Sequence, residues 1–302
     1  MRIGHLSTAY HTSLLLQGGE WVDEVAPLRP KWILFGGGPA LIDALAKGDL
    51  DIGYAGLPPA MIGMSHGSRI KCVAGGHMDC TVLVAKSGYK AMDEPGGMRE
   101  TLEQFRGQEI GSPPRGSIHD VILRYLLRKN RVNAEVKNFD WSDFIPLAME
   151  RGEIEAAVGT PALAVTLMTD LNAKIMVPAQ ALWPNNPSYG IIAREDFIEE
   201  HPEELETFLS LHRNASDFIR REPEKAAEVA ARTIGFVDAS FIRDTYKISP
   251  RYCAALSREF IESTMDFASV MKDLGYLSKT MRKADVFETS FIEKIHPERP
   301  HY

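Results

Sequence analysis

The chain has 302 residues, 44% hydrophobic and 25% charged, with a formal net charge of −7. That balance belongs to a globular chain of two domains or one large one, not to a disordered segment. No cluster of Lys and Arg marks a nucleic-acid surface, and no apolar run reaches the length of a membrane span.

The opening Met-Arg-Ile-Gly-His-Leu-Ser carries no apolar targeting segment and no small-residue cleavage site. Two locations fit: extracytoplasmic (periplasmic) with an export leader removed, or cytoplasmic. Arg2 to Leu6 reads as a short strand. Ser7 to His11 is the loop at its end, and an apolar helix starts near Ser13. Lys31 to Phe35 is a second strand, followed by Gly36-Gly37-Gly38-Pro39 and a helix over 40–47. Three glycines before a first-turn proline let the backbone come close to a ligand. Their spacing is not a dinucleotide fingerprint, and no Walker Lys-Ser/Thr follows. Asp51 to Ala55 is a buried strand ending in Gly56-Leu57-Pro58-Pro59 before another helix. Ile70 to Gly75 is a strand with Gly76-His77-Met78-Asp79 as its end loop, and Cys80 to Ala85 is another. This alternation predicts an α/β fold with parallel-rich sheets flanked by helices. Ligands in such folds sit at the C-terminal ends of strands, here the loops 7–11, 36–39, 57–59 and 77–79.

Gln108 to Leu127 reads as a strand opening at Ile110, a Pro/Gly loop from Gly111 to Gly116, then a helix with apolar Ile118, Val121, Ile122, Tyr125 and Leu126 on one face. Ser117 is the expected N-cap, with Asp120 in the first turn. The helix start suits an anion, and Arg115 adds a planar cation beside it. An ordinary turn with a solvated Arg is the competing reading.

The plan then repeats. Ala46 to Pro58 and Glu150 to Pro161 both read helix end, Gly, acid–aliphatic–acid, buried strand, Gly-x-Pro. Two similar α/β lobes follow from it. In the second, strands fall at 135–139, 156–158 and 173–177, with end loops at Trp141-Ser142-Asp143 and Gly159-Thr160-Pro161. Trp183 to Ser188 is a loop, and Tyr189 to Ala193 a strand returning to the first lobe. After Arg194 the pattern is helical over 195–222, 223–234, 239–248 and 250–274. Pro202, Pro223, Asp238 and Pro250 mark starts, Gly235 and Gly275 mark stops, and the tail after Pro297 is expected to fray. These helices cover the first lobe.

Cys72, Cys80 and Cys253 match no metal spacing, and an odd count argues against a complete disulfide framework. A Cys72–Cys80 pair and buried free thiols both remain open. His11, His77 and Asp79 could converge at strand ends, but no close His pair supports a metal, and none is expected. Ser117, His119 and Asp120 are the nearest approach to a triad. His119 and Asp120 are adjacent on a helix and point apart, and Gly116-Ser117-Ile118 lacks the second Gly of a nucleophile elbow. No cofactor and no catalytic residue is expected.

The run Ala40 to Ala60, with Gly48-Asp49-Leu50-Asp51-Ile52-Gly53-Tyr54-Ala55-Gly56-Leu57-Pro58-Pro59-Ala60, resembles the solute-binding proteins of ABC importers for nitrate, alkanesulfonates, taurine and thiamine precursors. So do Ile70 to Gly75, the unit Ile110 to Leu126, Gly152 to Pro161, and Pro202 to Glu206 in the helical region. The resemblance implies the two-lobed type II periplasmic-binding-protein fold. Lobe I would hold 1–85 and 190–302 and lobe II 86–189, with crossings near 83–88 and 188–193. The cleft would be lined by Ser7, Thr8, Tyr10, His11, Gly37, Leu57 and His77 from lobe I. Lobe II would supply Arg115, Gly116, Ser117, Thr160 and Trp183, with Trp141 a helix staple as readily as a contact. The implied function is capture of a small organic anion or heterocycle for an ABC permease by a monomer with no nucleic-acid partner. Intracellular enzymes on the same fold, chorismate dehydratases and yeast-type thiamine pyrimidine synthases, are the alternative. The cysteine-rich motif of the synthases and the Tyr-Leu-Asn opening of the dehydratases are both missing. A cytoplasmic sensor domain is a third reading, without a DNA-binding segment to support it.

Overall fold

The computed structural model of the chain describes residues 1–18, 21–92 and 97–302. Among these residues ten strands form two five-stranded sheets: β1 (Arg2–Leu6), β2 (Lys31–Phe35), β3 (Ile52–Ala55), β4 (Ile70–Met78), β5 (Val82–Lys86), β6 (Glu109–Ser112), β7 (Glu135–Asn138), β8 (Ala156–Gly159), β9 (Ala173–Val177) and β10 (Pro187–Arg194). Their orders are β2-β1-β3-β10-β4 and β7-β6-β8-β5-β9. The orders correspond position by position, so the repeat read in the sequence is a repeat of topology. β3 and β8 hold matching central places, each following a left-handed glycine, Gly48 or Gly152, and preceding a helix with Pro in its first turn.

The first three strands of each sheet run parallel. β10 is antiparallel to β3 and β4, and β5 is antiparallel to β8 and β9. Each of these two strands thus enters the other sheet as its fourth member. The chain crosses between sheets at 79–81 and 178–186. The stretches 83–86 and 188–193, where the crossings are expected, lie within paired strands. Their backbones pair with a neighbour on both edges, and their apolar side chains are buried on both faces, as in an interior strand.

The two crossings are bound together. Asp79 Oδ1 accepts from the backbone N–H (3.0 Å) and side-chain amide (3.3 Å) of Asn186, and Asp79 N–H donates to Asn186 O at 2.9 Å. Asn186 Oδ1 accepts from Cys80 N–H at 3.2 Å. Arg251 pairs with Asp79 and donates to Asn185 Oδ1 at 2.7 Å. Asp79 and Asn185 both sit in the left-handed region, at φ 62 and 58.

β4 does not stop at Gly75. It runs through Gly76, His77 and Met78, and its outer edge is covered by an extended segment at 251–254: Gly75 N–H donates to Ala254 O (2.8 Å), Met78 N–H to Arg251 O (3.0 Å) and Cys253 N–H to Gly76 O (3.3 Å). Pairing blunts what would be an open sheet edge. The glycines are required by crowding. A Cβ on Gly76 would lie 2.1 Å from the Tyr189 ring, and one on Gly75 would lie 2.4 Å from the Ala255 carbonyl oxygen. The helix expected from Pro250 therefore begins later, at Arg258–Asp273, with Ser257 Oγ accepting from Phe260 N–H at 3.1 Å. The tail packs rather than frays: Tyr302 lies under the Arg251 guanidinium, 5.0 Å from ring centroid to Cζ. All three cysteines are free and buried, so Cys72 and Cys80 do not pair.

Candidate functional site

The C-terminal ends of β1, β2, β3, β6, β7 and β8 face one another across a cavity of about 800 Å³. Four helices begin at its wall: Gly38–Lys47, Leu57–Ser65, Ile118–Asn130 and Pro161–Leu171, with caps Gly37, Gly56, Ser117 and Thr160. Ser117 Oγ accepts from Asp120 N–H at 3.3 Å, and Thr160 Oγ1 from Leu163 N–H at 3.2 Å. Each helix start brings unpaired N–H groups and about half a positive charge. Among the described residues the wall contains no Lys or Arg; its ionisable members are Tyr10, His11, His119, Asp143 and Asp170.

Of the residues expected in the cleft, Ser7, Thr8, Tyr10, His11, Gly37, Ser117 and Thr160 line this cavity, as does Trp141. Leu57, His77, Arg115, Gly116 and Trp183 do not. Leu57 is fully buried in the core as the first residue of its helix. His77 lies on the extended end of β4 beneath the cavity. Its Nε2–H donates to Ser249 O at 2.8 Å, which leaves Nδ1 to accept from Ser188 Oγ at 3.0 Å. Ser188, itself a lining residue, is 3.3 Å from the Tyr10 hydroxyl. Arg115 is exposed and turned outward over the Tyr276 ring, 5.8 Å from its centroid. The cause is Gly116, at φ +81, whose N–H donates to Asp120 Oδ2 at 2.8 Å and swings the preceding residue away. Trp183 belongs to another groove, stacked on Phe267 at 4.0 Å with Nε1–H donating to Ser263 Oγ at 3.0 Å.

The loop 7–12 is held rigidly. Thr12 Oγ1 donates to His212 Nδ1 at 2.8 Å, and His212 Nε2–H donates to Gly75 O at 2.7 Å. His11 is 3% exposed and packs on Tyr189 at 4.1 Å and Tyr10 at 5.1 Å, with its Nδ1 unpartnered. Burial pushes the His11 imidazole well below its usual range and lowers His77 and His212 to about 4, so all three rings are neutral near pH 7. His119 is likewise lowered by burial, to about 3. Its Nδ1 lies 2.9 Å from Thr81 Oγ1 in the first crossing. Ser117, His119 and Asp120 therefore form no relay. Ser117 Oγ serves its own helix, His119 turns to Thr81, and Asp120 binds Gly116, Arg124, Asn138 and Tyr276. His11, His77 and Asp79 share no ion position either, since both His77 nitrogens and both Asp79 oxygens are engaged.

A family model described as the NMT1-like family matches residues 24–235. The chain belongs to the NMT1-like family. A candidate binding protein of Brucella abortus is 26% identical over 245 residues, covering 77% of this chain and 70% of that one. The taurine-binding periplasmic protein of Escherichia coli is 24% identical over 279 residues, covering 86% and 82%. Among solved structures, the alkanesulfonate-binding protein SsuA of Xanthomonas axonopodis pv. citri, bound to MOPS, superposes with a TM-score of 0.79 at 16% identity, covering 96% and 98%. The type II binding-protein fold is thus that of this NMT1-like chain.

Sequence reasoning missed the contribution of the C-terminal helices. Ile234, Phe236, Val237 and Phe241 complete the wall, and Phe236 is 87% exposed. A signal was present in the sequence: Gly235-Phe236-Val237-Asp238 places two apolar residues in a turn between helices, where polar ones are usual.

Proposed function

We propose that this chain is the solute-binding component of an ABC importer, holding a small organic acid or heterocycle between two lobes without transforming it. The proposed lobes are 1–85 with 190–302 and 86–189, and the strand pairing supports moving their edges to 79–81 and 178–186. The observation that carries the reading is the meeting of four helix starts around one cavity whose wall has no Lys or Arg among the described residues. Such a site holds an anionic head by backbone N–H groups and hydroxyls. Leu34, Trp141, Phe236 and Phe241 offer the apolar surface for the ligand's body. Asp143 and Asp170, exposed on the second-lobe wall, disfavour a second negative group and suit an ammonium. Sulfonates, and amino-sulfonates among them, are the first class to test, in keeping with the names of the relatives. An extracytoplasmic location and an ABC permease as partner accompany this reading. Among the described residues no helix is long and apolar enough to cross a membrane.

Calorimetric titration with taurine, MOPS, short alkanesulfonates, nitrate and a pyrimidine tests it, followed by recovery of the bound compound. The expected result is one sulfonate bound per chain and recovered unchanged. Consumption of the compound would make the chain an enzyme, and no binding by any of them would remove the case for this ligand class.

A further inference from the structure

Outside the cavity, on the outer edge of the first sheet, Cys253, His296 and His301 point three donor atoms at one another. Cys253 Sγ lies 3.4 Å from His296 Nε2 and 3.6 Å from His301 Nδ1, and the two nitrogens are 3.2 Å apart. A tetrahedral zinc with bonds of about 2.3 Å to sulfur and about 2.05 Å to nitrogen requires S–N edges of about 3.6 Å and an N–N edge of about 3.3 Å. The triangle has those dimensions. His296 is set for ligation. Its Nδ1–H donates to the Glu298 carbonyl at 3.2 Å, which leaves the Nε2 lone pair facing the centre. Cys253 and His296 are buried and His301 is partly covered.

We propose that Cys253, His296 and His301 bind one zinc-class cation, with solvent as the fourth ligand. Sulfur and imidazole donors select this class over Mg²⁺ or Ca²⁺. On binding, the Cys253 thiol gives its proton to solvent and coordinates as thiolate, while both imidazoles bind neutral. The nearby carboxylates are already committed, Asp217 to Arg220 at 2.7 Å and Glu298 to Arg213, so they are not needed as ligands. The ion would clasp three separate pieces of chain: the segment covering β4, the end of the helix Ser290–Ile295, and the tail. The tail's last residue, Tyr302, stacks on Arg251, which reaches Asp79 in the first crossing.

The test is titration of the chelator-treated protein with Zn²⁺ and separately with Co²⁺. The expected result is one ion per chain, a rise in melting temperature of roughly 5 °C at a hundredfold excess over Kd, and a thiolate-to-cobalt charge-transfer band. Cys253→Ser should abolish the band. His301→Ala, in the partly exposed tail, should fold as the parent does and weaken zinc binding at least ~10-fold. No stoichiometric binding, cobalt bound without the thiolate band, or binding unchanged in His301→Ala would each overturn the proposal.

Discussion

The two walls of the cavity are built differently. The first-lobe wall, 7–12 with Ser188 behind it, is buried from Ala9 onward and fastened to two histidines: Thr12 to His212, and Tyr10 through Ser188 to His77. The second-lobe wall meets the first through bare backbone. A Cβ on Gly36 would lie 2.5 Å from the Trp141 indole, one on Gly37 would lie 2.8 Å from the Pro114 ring, and one on Gly116 would lie 2.9 Å from Ile62. Trp141 itself is 38% exposed. One wall is a fixed floor whose geometry exists before a ligand arrives. The other is a cover whose fit depends on how closely it lies down. Affinity in such a site combines a preformed half and a closure equilibrium, which substitutions can separate.

Acid should attack the floor most strongly. His77 and His212 have folded-state values lowered to about 4, against about 6.5 unfolded. Between those values the unfolded chain binds more protons, so stability rises with pH there. It is fully present above about pH 6.5 and is lost progressively as pH falls toward 4. Urea midpoints at pH 7, 6 and 5 should therefore drop steeply, and a flat series would show that these rings are not buried neutral. The cover should behave in the opposite way. Trp141→Ala is expected to weaken sulfonate binding by about tenfold while moving stability by less than about 0.5 kcal/mol. Paired calorimetry and urea melts check this, and a large stability loss would mean that Trp141 is part of the floor. Gly36→Ala is the mildest. The added methyl pushes the indole aside, disfavours the closed form and raises the apparent Kd by about threefold. Small-angle scattering of the liganded protein should show a slightly larger radius than the parent, and an identical radius and Kd would remove Gly36 from the closure.

Most of the parallel framework was readable because each βα unit carries its own punctuation. Gly36-Gly37-Gly38-Pro39, Gly56-Leu57-Pro58 and Gly159-Thr160-Pro161 each mark a strand end and a helix start, and Ser117 caps as its residue type requires. What escaped reading depends on contacts distant in sequence. Gly76-His77-Met78 has the composition of a loop. It is strand because Tyr189 and the 251–254 segment press on it from elsewhere. Arg115 has the chemistry of an anion ligand but follows the direction set by the left-handed Gly116. Trp183 has the size of a cleft aromatic but finds Phe267 and Ser263 first. Residue type left the partner of each open, and chain direction and packing decided it.

The bonds joining Asp79 to Asn186 have a mechanical consequence. Two chain segments fastened side by side at one point resist being pulled apart or slid past each other, because either motion breaks the shared carboxylate contacts. Twisting them together about their common length leaves those contacts whole and spreads small dihedral changes over 79–81 and 178–186. Of the motions open to these two segments, a twist about their common length is therefore the one that costs the fewest of those contacts.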